Sequence, residues 1–332
     1  MPRQRIFYID FIRAVAILAI VATHALVLNI PGKAYYYTSM FVGSASLFFM
    51  TSGALIFPVG KTGPFLRRRL LSFMPAFLIW SVAYWALLTF AGGPTDGPRP
   101  LQWIIITPTF KVGWFVYALI GLYLFAPIIS PWIERANKRQ HEYFLFFWLM
   151  AGFLPIVEKF TFVRTFNDSF LAPFYGYLGF MVAGHYFNRW PMRSRGRWEQ
   201  YAFFTLCALS MACSLLFFQK AWKWNYPQVL VDDLTANSMV VICMWFVLGQ
   251  YVRHAPRAVA RVVTLISECS LDIYLCHIFY LDWVLNRMPL TAGQKVVYLL
   301  VLSVGTAFIF RLMRRHVTRP IARRIFPPRK TA

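Results

Sequence analysis

The chain alternates between long apolar segments and short polar connections. Because a membrane-spanning helix needs about 20 mostly apolar residues, we sought segments near that length with few charges. Ten segments meet this description: residues 9–29, 39–59, 70–90, 113–133, 143–158, 170–187, 199–219, 235–252, 263–285 and 295–316. The pattern predicts an all-α membrane protein, a polytopic bundle of about ten transmembrane helices.

The composition supports this prediction. Hydrophobic residues make up 59% of the chain and charged residues 14%, whereas about a quarter of the residues of a soluble domain are charged. We expect one transmembrane domain over residues 1–316, followed by a basic cytoplasmic tail over 317–332. The basic start and apolar continuation resemble a signal peptide, but Arg13 and His24 lie inside the first apolar segment and further spans follow. A retained first helix is therefore favoured.

The net charge of +22 raises the question of a nucleic-acid partner. The basic residues, however, form short clusters between apolar segments rather than one stripe. Taking the ten spans in turn, 24 of the 34 Lys and Arg residues fall on one side of the membrane and nine on the other. By the positive-inside rule this split predicts that both termini are cytoplasmic. No nucleic-acid partner is predicted, and the basic tail is expected to lie on anionic membrane lipid.

The first span carries three polar residues that need an explanation. Asp10 and Arg13 are three positions apart and can pair on a helix. Arg13 and His24 are eleven positions apart, so at about 100° and 1.5 Å per residue they share one face and lie about 16 Å apart along the axis. Polar groups inside a membrane often mark a functional site. The alternatives are an interfacial anchor for Arg13 and an interhelical hydrogen bond for His24.

A second intramembrane histidine, His277, lies in the ninth predicted span with Ser270 and Tyr274 near its face. Imidazole takes up or releases a proton near neutral pH, so His277 is a second candidate, and its alternative role is a hydrogen bond between helices. Ser52 in the second span is a candidate site residue, although small hydroxyl side chains in spans often mediate packing.

The remaining polar and aromatic candidates lie near the predicted membrane surfaces. Arg67, Arg68 and Arg69 form a basic cluster that suits either an anionic ligand or ordinary topology. An outer aromatic belt, some of which could stack on sugar rings, is predicted at Trp103, Trp114, Trp222 and Trp224. Solvated outer acids are predicted at Asp232, Asp233 and Asp282. No role is assigned to His141, His185, His254 and His316. The five cysteines lie in apolar segments without metal-ligand spacing, so no metal site is predicted.

Five stretches, taken in order, resemble the acyltransferase-3 family of integral membrane O-acyltransferases. They are Asp10-x-x-Arg13 with His24, LFFMTSGALIF (47–57), FLRRRLLSFMPAFLIW (65–80), GWFVYALIGLYLFAPII (113–129) and SECSLDIYLCHIF (267–279). The closest likeness is to short members that O-acetylate surface polysaccharides, of the enterobacterial common antigen acetyltransferase type.

This resemblance implies a function for each group of candidates. The donor would be cytoplasmic acetyl-CoA or another acyl-CoA, with its phosphates neutralised by Arg13, Arg67, Arg68 and Arg69. His24, supported by Arg13 and Asp10, would activate the acceptor hydroxyl or carry the acyl group. The acceptor, a carbohydrate or glycolipid, would contact Ser52, Trp114, Tyr274 and His277. The resemblance also implies a multi-pass protein of the bacterial cytoplasmic membrane that needs no metal.

Two other classes of protein share parts of this pattern. A transporter or flippase for a lipid-linked sugar would also have many spans and central polar groups, but the sequence shows no inverted repeat, which is the usual indication of a transporter. A structural partner in a polysaccharide-export complex would leave Arg13 and His24 unexplained.

Overall fold

The computed structural model describes residues 5–29, 40–41, 43–90, 113–161, 169–224 and 232–313. Within these ranges the regular structure is entirely helical, as predicted. Among the described residues, six helices are long and apolar enough to cross a membrane. They are α1 (Phe7–Asn29), α3 (Thr62–Phe90), α4 (Trp114–Arg135), α8 (Arg197–Trp224), α10 (Arg257–Trp283) and α11 (Ala292–Met313). The predicted count of ten spans and the orientation of the termini stay predictions.

Shorter helices lie between the long ones. They are α2 (Ser46–Ile56), α5 (Lys138–Ala151), α6 (Leu154–Thr161), α7 (Leu178–Arg189) and α9 (Ala236–Gly249). Two of them, α2 and α9, are apolar. Three single 3-10 turns complete the described elements: Ala172–Phe174, Met192–Ser194 and Leu285–Arg287.

The prediction of a single helix over residues 143–158 is wrong, because a turn at Gly152 interrupts the helix and separates α5 from α6. The carbonyl of Gly152 accepts a hydrogen bond from the backbone N–H of Ala236 at the start of α9 (2.9 Å). A Cβ on Gly152 would lie 2.7 Å from that nitrogen, so only glycine permits the approach. Helix α5 also begins before residue 143, because Asn137 and Gln140 form a reciprocal capping box.

The predicted span at 170–187 is helical only from Leu178. Pro173 lies in a 3-10 turn, and Gly176 has a φ of +134°, a conformation that other residues rarely adopt. The Gly176 carbonyl accepts a hydrogen bond from the indole nitrogen of Trp148 (3.0 Å). This contact joins the irregular segment to α5.

Helix α1 lies at the centre of the bundle. It packs against α10 and α11, and on its other sides against α2 and α9. Its residues Ala16, Ile17 and Val21 are fully buried. The polar residues of α1 therefore face other helices, which is the condition under which such residues persist in a membrane.

Helices α2 and α7 cross at glycines. A Cβ on Gly53 would lie 1.9 Å from the carbonyl oxygen of Met181, and one on Gly184 would lie 2.0 Å from that of Met50. The two contacts are reciprocal, since each glycine faces a backbone carbonyl three residues before the other glycine. Small residues allow this close approach of helix backbones in membranes.

Candidate active site

The structure brings His24 and His277 together from α1 and α10. Nδ1 of His24 lies 3.3 Å from Nε2 of His277, and the ring centroids are 5.1 Å apart with planes tilted by 48°. His277 is fully buried and His24 is half-buried. The two histidines that the sequence placed in separate spans thus form one site.

Backbone carbonyls assign the tautomers of both neutral rings. Nδ1 of His277 lies 2.7 Å from the carbonyl oxygen of Tyr274, and Nδ1 of His24 lies 2.9 Å from that of Ile20. Because a carbonyl only accepts, both Nδ1 atoms carry the proton. Nε2 of His277 then accepts, and the Nδ1–H of His24 is shared between Ile20 and His277. This leaves Nε2 of His24 with the lone pair that can take up a proton.

Arg13 lines a cavity of about 270 Å³, which is lined by residues that precede His24 on α1 and His277 on α10. Its Nη2 donates to Oγ of Ser270 (3.3 Å), and its guanidinium lies 5.7 Å from the centre of the Phe48 ring. Nε of Arg13 is buried without a hydrogen-bond partner among the described residues. A buried N–H group that makes no hydrogen bond and lies beside a cavity is suited to bind an anionic or polar ligand.

A second cavity, of about 600 Å³, shares Arg13, Leu55 and Arg69 with the first and is also lined by Arg5 and Asn188. Arg69 borders a third cavity, of about 430 Å³, which is lined by further cationic side chains, Lys61 and Arg68. The guanidinium of Arg69 lies over the rings of Tyr123 (5.8 Å) and Phe65 (5.9 Å). Of the three arginines in the predicted cluster, Arg67 is exposed and lies outside these three cavities.

Asp10 pairs with Arg5 rather than with Arg13. Nε of Arg5 donates to Oδ2 of Asp10 (2.5 Å), and Oγ of Ser267 on α10 donates to Oδ1 (2.7 Å). The hydrogen bond to Asp10 raises the pKa of Arg5 above its ordinary value. The pairing leaves the guanidinium of Arg13 for the cavity.

The predicted substrate-side residues fall in two places. Ser52 and Tyr274 line the cavity that Arg13 lines, and Oγ of Ser52 lies 3.3 Å from the hydroxyl of Tyr123. Trp114 instead stacks on Tyr177, with ring centroids 5.3 Å apart, and does not line that cavity. Trp103 lies outside the described residues, as do the side chains of Trp222, Trp224 and Asp282.

Glu268 was missed by the sequence reasoning. It accepts hydrogen bonds from Arg5, which precedes α1, and from Arg311 on α11, and thereby joins the segment before α1 to α10 and α11. An acid inside a predicted span is costly unless it is paired, and that rule could have singled out Glu268.

Asp233 is not a solvated acid as predicted. Its side chain is half-buried and accepts a hydrogen bond from Oγ of Ser46 (2.9 Å). The loss of water around it raises its pKa to about 7. The neighbouring acid, Asp232, is exposed, as expected.

Two histidines to which no role was assigned, His141 and His185, stack on each other with centroids 5.7 Å apart. They pack against Trp132 of α4, Tyr186 of α7 and Phe57, which follows α2. The described residues contain no group of three or more His, Cys, Asp or Glu side chains arranged to hold a metal ion.

These features define a class: a multi-pass membrane protein, helical throughout its described residues, with two histidines in contact near a cationic cavity. The chain matches the acyltransferase-3 family, described as an acyltransferase domain, over residues 6–317. The protein therefore belongs to this family of membrane acyltransferases. Comparisons with curated proteins and with solved structures found no significant match.

Proposed function

We propose that the protein moves an acetyl group, or a similar short acyl group, from cytoplasmic acyl-CoA to a hydroxyl of a cell-surface or periplasmic carbohydrate. We also propose that the protein is of the same type as the short O-acetyltransferases of surface polysaccharides and that it lies in the bacterial cytoplasmic membrane. The observation that carries it is the histidine pair, in which His277 orients His24 so that Nε2 of His24 can accept a proton.

The cationic cavities support a phosphorylated donor. Arg13 and Arg69 border both the smaller cavity and the one that Arg5 lines, and guanidinium groups bind phosphate through paired, charge-assisted hydrogen bonds. Arg68 and Lys61 border the adjoining cavity. The donor phosphates would lie among these side chains, with Arg67 contributing only its charge. In the predicted orientation this end of the bundle faces the cytoplasm, where acyl-CoA is present.

The chemistry at His24 is general-base catalysis. Nε2 takes the proton of the acceptor hydroxyl as the oxygen attacks the thioester carbonyl. The tetrahedral intermediate collapses, the C–S bond breaks, and the proton on Nε2 passes to the sulfur of coenzyme A. During this step the imidazolium is stabilised by the Ile20 carbonyl and by Nε2 of His277, which both accept from Nδ1–H.

The same nitrogen also serves a covalent route. Nε2 of His24 would attack the thioester, and the C–S bond would break to release coenzyme A as its thiolate. The acceptor oxygen would then attack the acyl-imidazole while its proton passes to the thiolate, and the C–N bond would break to free Nε2. Both routes require His24 unprotonated at Nε2 and His277 as its hydrogen-bond acceptor. In both, Asp10 is a positioning residue that holds Arg5 at the mouth of the donor cavity.

The acceptor would approach from the other side of the histidine pair. Trp114 stacks on Tyr177, and aromatic faces of this kind bind the apolar faces of sugar rings. The acceptor would be a polysaccharide or glycolipid, with membrane lipid around the bundle. No step of this chemistry needs a metal ion.

The test is acyl transfer by the purified protein. Wild type, His24→Ala and the control His254→Ala are compared with labelled acetyl-CoA and isolated surface glycan; His254 is exposed and lies between α9 and α10. Removal of a general base lowers the rate about 10²–10⁴-fold, so His24→Ala should lose transfer by this factor while His254→Ala keeps it. We expect His277→Gln to reduce the rate less than His24→Ala.

The same assay separates the enzyme from a transporter. Full transfer activity in His24→Ala would overturn the catalytic assignment. Passage of a lipid-linked sugar across proteoliposomes without acyl label would instead show a flippase.

A further inference from the structure

Four side chains at the starts of helices form two contacting pairs. In the first pair, Ser46 begins α2 and Asp233 lies three residues before α9. In the second pair, Trp114 begins α4 and Tyr177 immediately precedes α7. These helices belong to the second, fourth, sixth and eighth predicted spans, which all begin at the outer surface in the predicted orientation. A periplasmic acceptor would arrive at this surface.

Helix α2 joins the two pairs. Oγ of Ser46 donates to Oδ2 of Asp233 (2.9 Å). Phe49 follows one turn later on α2, and its ring contacts that of Tyr177, with centroids 5.1 Å apart. The carboxylate and the aromatic pair therefore contact successive turns of one helix. The charge of Asp233 also acts on the hydroxyl group of Tyr177, which again places the two side chains near each other.

The Asp233 carboxylate is not required for the turn in which it lies. Asp232 holds that turn, because its Oδ1 accepts from the backbone N–H of Leu234 (2.9 Å) and its carbonyl accepts from Oγ1 of Thr235 (3.0 Å). Within the described part of the chain, Ser46 is the one group that donates a hydrogen bond to the Asp233 carboxylate. A carboxylate has about four lone-pair sites, so this half-buried side chain can accept further hydrogen bonds from a ligand.

We propose that Asp233 and the stacked rings of Trp114 and Tyr177 form the subsite for the acceptor, and that this subsite takes a sugar residue with two adjacent free hydroxyl groups. The inference rests on the proposed function, in which the acceptor is a carbohydrate. The two oxygens of a carboxylate accept hydrogen bonds from hydroxyls on neighbouring ring carbons. An aromatic face packs against the C–H groups of the same sugar ring, and Ser46 fixes the orientation of the carboxylate.

Tyr274 is a common neighbour of this subsite and of the histidine pair. The charge of Asp233 acts on the hydroxyl group of Tyr274. The Tyr274 ring lies 5.0 Å from that of Phe115, which in turn contacts Trp114 (6.2 Å). The same Tyr274 ring lies 5.7 Å from that of His277. The subsite is therefore near the turn of α10 that carries His277.

The experiment measures KM for isolated surface glycan and for acetyl-CoA with purified wild type, Asp233→Asn and Asp232→Asn. Asp233→Asn keeps the size of the side chain and removes its charge. Loss of a charge-assisted hydrogen bond weakens binding about tenfold or more, so KM for the glycan should rise by this factor while KM for acetyl-CoA stays unchanged. Asp232→Asn removes the same charge one residue away, at an exposed position, and its KM values should equal those of wild type.

Two further measurements test the aromatic pair and the adjacent hydroxyls. Trp114→Leu should also raise KM for the glycan, whereas Trp114→Phe keeps a ring against Tyr177 and should retain most of the affinity. Periodate cleaves the bond between two carbons that carry adjacent hydroxyls. By calorimetry without donor, glycan that has been oxidised with periodate and then reduced should bind wild type about tenfold or more weakly than intact glycan.

The outcomes separate the subsite from the proposed function. If wild type transfers acetyl groups and Asp233→Asn leaves KM for the glycan unchanged, the subsite is overturned and the function stands. Equal binding of intact and periodate-treated glycan would overturn the requirement for adjacent hydroxyls. If wild type transfers no acyl label but binds the glycan more tightly than Asp233→Asn does, the function fails and the subsite stands. If wild type neither transfers acyl groups nor binds the glycan, both fail.

Discussion

The glycine crossing of α2 and α7 makes a quantitative prediction. Replacing Gly53 by Ala places a Cβ 1.9 Å from the carbonyl oxygen of Met181, and replacing Gly184 by Ala places one 2.0 Å from that of Met50. Ordinary contacts of a Cβ begin at 3.4 Å. The two helix backbones must therefore separate by about 1.5 Å, because the obstructing atom is backbone and cannot rotate away.

The energetic cost follows from this displacement. Overpacking a buried contact costs about 1–3 kcal/mol, and separating two backbones lies at the upper end of that range. Alanine recovers up to about 1 kcal/mol in helix propensity over glycine. The net loss is about 2 kcal/mol for either variant, or roughly 4 °C in melting temperature at about 2 °C per kcal/mol for a long chain.

The assay is thermal unfolding of the detergent-solubilised protein, and the chain supplies its own controls. A Cβ on Gly121 of α4 or on Gly305 of α11 would meet nothing within 4 Å. Gly121→Ala and Gly305→Ala should therefore melt at or slightly above the wild-type temperature. Equal melting temperatures for Gly53→Ala and Gly121→Ala would refute the reasoning about the crossing.

Two further predictions concern charged groups at opposite ends of the bundle. Because the pKa of Asp233 is raised to about 7, the folded state binds this proton more tightly than the unfolded state, so stability falls as the pH rises from about 4 to about 7. Asp233→Asn should flatten this dependence in melting temperatures measured across the same range. An unchanged slope would contradict the raised pKa of Asp233. Glu268→Gln removes the charge between Arg5 and Arg311 and should lower the free energy of unfolding by about 1 kcal/mol, with a smaller effect in 1 M salt. A melting temperature equal to that of wild type in dilute buffer would show that these ion pairs do not stabilise the protein.

Local patterns in the sequence predicted local features correctly. The long apolar segments indicated the long helices, and helix geometry placed Arg13 and His24 on one face of α1, where both contact α10. These features depend on residues a few positions apart, so the sequence alone carries enough information to predict them.

The contacts between distant segments could not be predicted in the same way. Asp10 had a suitable partner in Arg13 by spacing, but Arg5 precedes the helix and folds back onto the carboxylate, while Ser267 approaches from α10. The break at Gly152 depends on the start of α9, and the contact between Phe115 and Tyr274 depends on α4 meeting α10. Each of these features is determined by which helices become neighbours, and hydrophobic periodicity does not specify neighbours.

The contact between His24 and His277 joins residues 253 positions apart. Ribosomes synthesise roughly 5–20 residues per second, so α1 waits roughly 13–50 seconds in the membrane before its partner α10 is made. Throughout this time the face of α1 that carries His24 lacks its neighbour α10. The proposed active site is thus among the last parts of the protein to assemble, and a nascent chain that stops before α10 lacks it entirely.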